Sequence, residues 1–466
     1  MAALDSSAVA GILRNRTYRH LFAAQIVALV GTGLATVALG LLAYDIAGGS
    51  AGAVVGTALT IKMVAYVTIS PFAGAVADRV PRRAMLVGLD AVRAGVAACL
   101  PFVDAVWQVY LLIFVLQAAS AAFTPTFQAT IPDVLPDERD YTRALSLSRL
   151  AYDLESLFSP MLAAALLTVM SYHQLFAGTA VGFAASGLLV VSVLLPKSAP
   201  AARRESVLRR TTLGMRVFAA TPRLRALLAM NLVVAAATSM VLVNTVVIVR
   251  EQLGRSAADV GVALGCYGAG SMAVALLLPR VLDRLGDRRV MLSAGFLLAG
   301  VMGASAIGLA AVPASAGWWV LLTVWTLLGA GTSLVLTPSS RLLRRSAGGA
   351  DRPAVFAAQF SLSHACFLAG YPIAGWLGVA AGIPVTLAVL GAVALAAGAA
   401  AVVLWPSGDP VRVTHVHRNL APGHPHLVDT RSGADGGRAH THDYVIDEAH
   451  PHWPRRADVL VARSES

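Results

Sequence analysis

The sequence has 466 residues, of which 57% are hydrophobic and only 13% are charged, and its mean hydropathy is +0.70. One soluble core cannot bury that much apolar surface, so the composition excludes a soluble globular protein and indicates the lipid bilayer as a partner. The formal net charge of +11 does not indicate nucleic acid, because the basic residues alternate from loop to loop as membrane topology requires.

Twelve apolar runs are long enough to cross a bilayer as helices, which takes about 20 residues each. They lie near residues 21–44, 52–77, 84–104, 107–130, 144–170, 174–195, 225–249, 257–281, 290–311, 317–340, 354–380 and 383–405. We therefore expect an all-α membrane protein with twelve transmembrane helices, numbered spans one to twelve.

The basic residues predict which way the chain crosses the membrane. Of the 36 Lys and Arg residues, 31 fall in the terminal segments and the loops after even-numbered spans. The loops after odd-numbered spans hold only Arg250 and Arg255. By the positive-inside rule we expect a multi-pass protein of the plasma membrane with both termini in the cytoplasm.

A charged segment occurs twice, once in each half of the chain. Gly74-Ala-Val-Ala-Asp78-Arg79-Val-Pro-Arg82-Arg83 lies between spans two and three, and Pro279-Arg-Val-Leu-Asp283-Arg284-Leu-Gly-Asp-Arg288-Arg289 lies between spans eight and nine. Thr124-Pro125 in span four likewise recurs as Thr337-Pro338 in span ten. A duplicated unit with one charged hairpin in each copy is typical of a transporter whose halves rock against each other.

The duplication predicts the domain organisation. We expect an N-terminal six-helix bundle at 1–195, a basic cytoplasmic linker at 196–224 and a pseudo-symmetric C-terminal six-helix bundle at 225–405. A cytoplasmic His-rich tail follows at 406–466. Because the tail is poor in apolar residues, we expect it to be largely disordered.

Twelve spans, a basic central linker and a G-x-x-x-D-R-x-x-R-R hairpin resemble the major facilitator superfamily over residues 10–405. The run Phe-Thr-Pro-Thr-Phe-Gln-Ala-Thr-Ile-Pro-Asp-Val-Leu-Pro-Asp at 123–137 is similar to the exporter branch that includes the enterobactin exporter and the nickel-resistance permeases. The resemblance implies the major facilitator fold, in which two six-helix bundles enclose a central cavity.

The resemblance also implies a latch that holds one face of the transporter shut. Its candidate residues are Gly74, Asp78, Arg79, Arg82 and Arg83 in the first hairpin, and Asp283 and Arg284 in the second. Asp78 is expected to face the start of span eleven, while Arg82 or Arg83 reaches the acidic end of span four at Asp133. Alternatively, these arginines only fix the topology.

Two motifs of the drug–proton antiporters are altered in this chain. Their Arg in the span-four pattern R-x-x-Q-G is absent from Phe114-Val-Leu-Gln-Ala118. Their span-five pattern G-P-x-x-G-G is present only as Ser159-Pro160-Met-Leu-Ala163-Ala164. Both departures weaken the inference that this chain couples to protons by the same mechanism as the drug–proton antiporters.

Charged residues inside the spans are candidates for coupling or substrate binding, because one at mid-membrane costs roughly 2.5–3.5 kcal/mol unless it is paired or wetted. Lys62 in span two and Asp153 and Glu155 in span five are the first candidates. A carboxylate in a partly dry cavity can exchange protons near neutral pH. The alternative for span five is a structural pair with Arg149 or Lys62.

Two further sets of polar residues lie within the spans. Asp90 and Arg93 in span three are three residues apart and can pair locally, which favours a structural role. Gln359 and His364 in span eleven are candidates for coupling or substrate binding in the second half. A helix-to-helix hydrogen bond is the alternative for His364.

Eight of the eleven histidines lie in the tail as four His-x-His pairs. They are His415 and His417, His424 and His426, His440 and His442, and His450 and His452. In extended backbone residues i and i+2 lie on one side, so a pair can hold one metal ion and two pairs can supply an imidazole set for zinc, nickel or copper. Alternatively, the recurrence is only compositional.

These features predict a secondary active exporter of a small molecule or ion, coupled to protons and working by alternating access. The His-x-His tail favours efflux of nickel- or cobalt-type metals. The alternatives are a drug or siderophore exporter with an incidental tail, and a membrane metal sensor that transports nothing. We expect neither enzymatic activity nor a cofactor, apart from possible transition-metal binding in the tail, and no nucleic-acid partner.

Overall fold

The computed structural model describes residues 11–77, 80–195, 207–311, 314–348 and 351–409, together with 412–417, 431–432, 438–446, 450 and 452–453 of the tail. Among these residues twelve helices have 18 residues or more. Spans one to six are Arg16–Ala47, Ala51–Ala77, Arg82–Cys99, Val106–Val134, Glu138–Leu167 and Tyr172–Val191. Spans seven to twelve are Pro222–Val247, Ala257–Leu285, Asp287–Ala311, Ala314–Arg344, Arg352–Pro372 and Gly378–Leu404. The all-α membrane fold is confirmed.

Length and composition alone identify nine membrane-crossing stretches within the described residues. Two of them, Arg16–Ile69 and Ala354–Leu404, each contain two spans. Span five is not among the nine, and it carries the charged residues Glu138, Arg139, Asp140, Arg143, Arg149, Asp153 and Glu155. The count of twelve long helices thus agrees with the sequence prediction, and span five is the unusually polar one.

Local sequence explains several helix ends. The Asn15 side chain accepts a hydrogen bond from the backbone N–H of Tyr18 and so caps span one. Ser256 and Asp259 form a reciprocal capping box at the start of span eight. After span eleven the helix widens into a π-turn, Ile373–Leu377, and Gly382 with φ of 82° makes the bend that begins the next crossing.

The two halves pack in the same way. In the first half, span one packs on span six, span two on span four, and span three on span six. In the second half, span seven packs on span twelve, span eight on span ten, and span nine on span twelve. The helix pairings therefore repeat between the halves, as the duplicated sequence predicts.

One end of the bundle carries the basic loops, and we call it the basic face. At this face the start of span one meets the ends of spans four and six: Asn15 Nδ2 donates to the carbonyl of Val134 at 3.4 Å, and His20 Nδ1 lies 2.6 Å from Ser192 Oγ. The other end is called the opposite face. There Tyr172 OH donates to Asp45 Oδ2 at 2.6 Å, and Arg250 lies over the ring of Tyr44.

The halves contact each other through span two against span eleven and span five against span eight. Glycines permit the closest approaches near the opposite face. A Cβ built on Gly56 would lie 2.7 Å from the carbonyl oxygen of Tyr371, and one on Gly261 would lie 2.5 Å from Cα of Ala164. Such distances leave no room for a larger residue, so this end of the interface is tightly closed.

The described part of the tail contains three short strands, β1 (Arg412–His417), β2 (Arg431–Ser432) and β3 (Arg438–Asp443), in the antiparallel order β1-β3-β2. The expectation of a largely disordered tail therefore does not hold for these residues. Sequence reasoning weighed only the low apolar content, whereas Val413, Thr414, Val416 and Thr441 are β-branched residues that favour strands.

The tail is joined to the basic face of the second half by a buried arginine. Arg223, at the start of span seven, is 1% exposed and its NH1 lies 3.1 Å from Asp409 Oδ1, while its Nε donates to Ser346 Oγ at 2.8 Å. Asp409 also pairs with Arg345 and accepts from Trp405 Nε1 at 3.0 Å. These contacts connect the ends of spans ten and twelve to the start of span seven.

The close glycine contacts predict a test of the interface between the halves. Gly56→Ala and Gly261→Ala should each destabilise the closed opposite face by about 1–3 kcal/mol, because the new methyl group overpacks against backbone of the other half. Spin labels on the exposed residues Ser171 and Ser256, one in each half, should then report a larger population of long distances.

Gly300→Ala is the matched control, because a Cβ at Gly300 meets nothing within 4 Å. Distance distributions that are the same for all three variants would contradict a closure built on these glycines.

Candidate coupling site in the first bundle

Lys62 lines a cavity inside the first bundle, between spans one, two, four and six. The cavity has a volume of about 20 Å³, enough for one water molecule. Its polar lining residues besides Lys62 are Thr32, Thr36, Gln117 and Ser120. Gln117 Oε1 is buried and has no hydrogen-bond partner among the described residues, so an acceptor lies at a water-sized space beside a cationic side chain.

Glu155 in span five lies near enough to Lys62 for the two charges to interact, without an ion pair within 4 Å among the described contacts. The carboxylate lies against span one, where a Cβ built on Gly33 would be 2.8 Å from Glu155 Oε1 and 2.1 Å from Ser159 Oγ. Glycine at position 33 thus makes room for both side chains. Lys62 and Glu155 are therefore brought together, whereas the side chains of Asp153 and Arg149 lie outside the described part of the chain.

The polar candidates of the second bundle are uncharged and satisfy one another. Asn231 Nδ2 donates to Gln359 Oε1 at 3.2 Å, and Gln359 Nε2 donates to Asn231 Oδ1 at 3.3 Å, which links spans seven and eleven. Two reciprocal amide hydrogen bonds inside one half are a structural arrangement. In this conformation the Gln359 amide is therefore hydrogen-bonded to Asn231 of its own bundle.

His364 faces the other half. Its ring stacks on Tyr66 of span two, with ring centroids 5.8 Å apart and an interplanar angle of 3°, and its Nδ1 lies 2.7 Å from the carbonyl oxygen of Phe360. Phe360 also contacts Tyr66, at 6.2 Å between centroids. His364 therefore belongs to the interface between the two halves. Sequence reasoning missed Tyr66, because an aromatic residue in an apolar helix gives no signal.

Asp90 and Arg93 form a buried ion pair within span three, as their spacing predicted. Ser186 Oγ donates to Asp90 Oδ2 at 2.8 Å, and the Arg93 guanidinium lies 4.0 Å from the ring centroid of Phe123 and 4.5 Å from that of Phe183. Both charges are held by neighbours on spans four and six. The pair therefore joins three helices of one bundle.

The first charged hairpin is partly described. Arg82 pairs with Asp133 at the end of span four, the contact that the resemblance implied, and Arg83 donates to the carbonyl of Val191. Asp78 and Arg79 lie outside the described residues, and Gly74 lies within the helix of span two. Whether the first hairpin acts as a latch stays a prediction.

The second hairpin carries the equivalent pair with its charges exchanged. Asp287 at the start of span nine lies 3.7 Å from Arg341 near the end of span ten, so the acid is on the first helix and the base on the second. Arg284 is exposed in the last turn of span eight, and the side chain of Asp283 is not among those described. Each half thus has one ionic contact between its third and fourth helices at the basic face.

Backbone positions are described for part of the His-x-His tail. His415 and His417 lie in β1, His440 and His442 lie in β3, and His424 and His426 lie outside the described residues. His450 is buried against Tyr444, and His452 is exposed. Within the part of the chain whose side chains are described, no group of three His, Cys, Asp or Glu residues is placed to hold a metal ion.

Residues 6–435 match the family described as transmembrane secretion effector. The chain belongs to this family. Macrolide efflux protein A of Enterococcus faecalis is 26% identical over 152 residues, which cover 30% of this chain and 47% of that protein. The MFS-type transporter YfiS of Bacillus subtilis is 24% identical over 325 residues, which cover 67% of this chain and 76% of that protein.

Solved structures agree on the fold of this transmembrane secretion effector. The nucleoside transporter NupG aligns with a TM-score of 0.62 at 14% identity, covering 83% of this chain and 98% of that one. A bacterial homologue of the human lysosomal transporter Spinster, in an inward-facing conformation, aligns with a TM-score of 0.64 at 12% identity, covering 84% and 97%. At such identities the likeness shows the fold alone.

The resemblance to the major facilitator superfamily and its exporter branch is therefore confirmed. The chain is a multi-pass membrane protein of this family, and the two relatives that it matches are named as an efflux protein and an MFS-type transporter. The chain spans about half the length of the macrolide efflux relative that it matches.

The exchanged polarity of the two basic-face pairs predicts a charge-swap rescue. Arg82→Gln or Asp133→Asn alone should destabilise the protein by about 1.5–3 kcal/mol, because each removes the charge-assisted contact between a buried guanidinium and a half-buried carboxylate. The double variant Arg82→Asp with Asp133→Arg should recover most of the lost stability, since it reproduces the order of charges found in the second half.

Thermal unfolding of the protein in detergent measures these effects. Arg143→Gln is the control, because its pair with Asp140 is 42% and 38% exposed and contributes little. A double variant no more stable than the single ones would show that Arg82 and Asp133 are not energetically coupled.

Proposed function

We propose that this transmembrane secretion effector is a proton-coupled exporter that works by alternating access. The observation that carries the proposal is the placement of two ionisable side chains inside membrane-spanning helices of one half, with Lys62 at a polar cavity and the Glu155 carboxylate against Gly33 of span one. Ionised side chains in such segments are costly and mark ion pathways or proton relays by default. The polar cavity beside Lys62 gives the pair a water-sized space through which a proton can arrive.

The pair can couple a proton to a change of conformation through charge balance. When Glu155 is ionised, it neutralises Lys62 and both helices are held together. When Glu155 accepts a proton, the attraction ends and Lys62 is left as an uncompensated cation that must find water or a new partner. The free energy of that imbalance is available to favour the other conformation of the two halves.

The contacts between the two halves are arranged so that the halves can move relative to each other when the charge of Glu155 changes. These contacts are tight at the opposite face and reach inward to the stacked rings of Tyr66 and His364. The positive-inside rule supports an orientation in which the basic face lies in the cytoplasm of a plasma membrane. The conformation described is then one whose outer end is closed, with substrate loaded from the cytoplasm for export.

The first candidate substrate is an amphipathic organic molecule. The relatives from Enterococcus faecalis and Streptococcus pyogenes are named for macrolide efflux, which supports export of a compound of this class. The described helices offer no metal-ligand cluster in the membrane region, which fits an organic substrate better than a desolvated ion. Efflux of a drug or siderophore is therefore the reading that we favour.

The second candidate substrate is a transition metal of the nickel or cobalt type. The four His-x-His pairs on the tail favour it, because a cytoplasmic tail of imidazoles is suited to collecting such ions before extrusion. In this case the tail delivers the metal ion to the two bundles, and the bundles export it from the cell. The protein would then be an antiporter that confers metal resistance.

Proton coupling is tested with Glu155→Gln in proteoliposomes, with radiolabelled erythromycin as the probe. We expect accumulation driven by a pH gradient to be lost, whereas exchange of erythromycin across the membrane without a gradient persists, because glutamine cannot release a proton. Asp104→Asn in an exposed loop is the control and should keep both activities. Undiminished gradient-driven accumulation by Glu155→Gln would contradict the assigned role.

The substrate class is tested by growth of cells that express the chain in toxic nickel or cobalt and, separately, in erythromycin. We expect protection against erythromycin that does not change when all eight tail histidines are replaced by asparagine. Asparagine replacement keeps Asp409 and its contacts, which truncation after residue 405 would remove. Protection against nickel alone, lost with the histidines, would instead establish metal export; protection against neither, with no flux of either probe in vesicles, would favour a sensor.

A further inference from the structure

Four of the eight tail histidines are brought together by the pairing of β1 with β3. The register places His415 directly opposite His440, Val413 opposite His442, and His417 opposite Arg438. Residues directly opposite in an antiparallel pair share a face of the sheet, and so do residues two apart on one strand. All four histidines of these two pairs therefore occupy one face.

This placement suits coordination of a single ion by both strands. Directly opposite positions have Cβ atoms about 4.5–5.5 Å apart, and positions two apart on a strand are separated by about 6.6 Å. Imidazole nitrogens are preferred ligands of zinc, copper and nickel, and three histidines with one open position form a familiar set for zinc. Neighbouring strands can thus supply a set that one His-x-His pair cannot supply alone.

The register also separates the four histidines. His417 is opposite Arg438, whose positive charge opposes a cation bound at that end of the face. His415, His440 and His442 lie toward the other end, where the neighbour is the uncharged Val413. His415, His440 and His442 are therefore the three histidines whose register positions lie away from Arg438.

The strands are anchored on both sides, which holds this register. Asp409, three residues before β1, is paired with buried Arg223 and with Arg345. Directly after β3, Tyr444 and Ile446 are buried at 6% and 2% exposure, and Trp453 lies under the Arg223 guanidinium at 4.9 Å. A slip by one residue would move the histidines to opposite faces, so fixed ends keep them on the same one.

We propose that His415, His440 and His442 form a binding site for a divalent first-row transition metal, on a sheet attached to the basic face of the second bundle. The fourth coordination position is open to water. The site is independent of the transported substrate, so it can exist in an exporter of organic molecules.

Titration of the full-length protein in detergent with Co²⁺ and with Ni²⁺ tests the site, with visible absorption of bound Co²⁺ reporting coordination by nitrogen. We expect one ion per chain at this site. His415→Ala with His440→Ala should weaken its affinity by roughly 100-fold or more, a loss at least as large as that from removing a supporting residue around a metal. The matched control is His424→Ala with His426→Ala, which removes the same number of imidazoles and should change the affinity little.

Two results would overturn the assignment. One is binding that falls equally in both double variants, which would mean that the tail binds metal through its composition and not through the paired strands. The other is the absence of any bound Co²⁺ or Ni²⁺ in the unmodified chain. Since the readout is binding, failure of the transport proposal would leave it unaffected, and a thermal unfolding curve for each variant separates loss of ligands from loss of fold.

Discussion

Pairing of charges inside a low-dielectric environment is the constraint on which the rest of this structure depends. An ionised side chain in the membrane region must meet an opposite charge, a polar neighbour or water. The chain meets this requirement within span three at Asp90 and Arg93, and between spans two and five at Lys62 and Glu155. The first pair is held by Ser186 and two aromatic rings, whereas the second borders a cavity that admits water. The surroundings of Lys62 therefore differ from those of the span-three pair in admitting water.

The two halves share a helix arrangement but not a chemistry. Within its spans the first half carries the charged residues Lys62, Asp90, Arg93 and Glu155, whereas the neutral amide pair of Asn231 and Gln359 links spans seven and eleven of the second half. At the basic face, by contrast, both halves keep an ionic contact, with its polarity exchanged. Duplication thus preserved the contacts that order the helix ends, while the buried polar groups diverged.

Local patterns in the sequence account for much of this organisation. The spans follow from apolar length, the Asp90 and Arg93 pair follows from helical spacing, and the partner of Arg82 at Asp133 follows from the resemblance to a known family. The contacts made by Arg223 could not be foreseen, because Asp409 is 186 positions away and an arginine after a basic linker indicates only topology. The strands of the tail were not predicted, because the low apolar content of the tail indicated disorder and its β-branched residues were not considered. Gln117 was visible as the glutamine of an altered motif, yet its position at the cavity depends on packing between four helices.

The central claim is that two six-helix halves alternate around their shared interface, and reversible crosslinking at the opposite face tests it most directly. Trp376 Nε1 donates to Thr57 Oγ1 at 3.2 Å across spans eleven and two, so Thr57→Cys with Trp376→Cys, in a chain whose three native cysteines are replaced by serine, places one thiol in each half. The account predicts that a bifunctional thiol crosslinker with a cleavable disulfide in its spacer stops transport and that reduction restores it, because the crosslink holds the outer end closed. Transport that continues undiminished with the crosslink fully formed would contradict it.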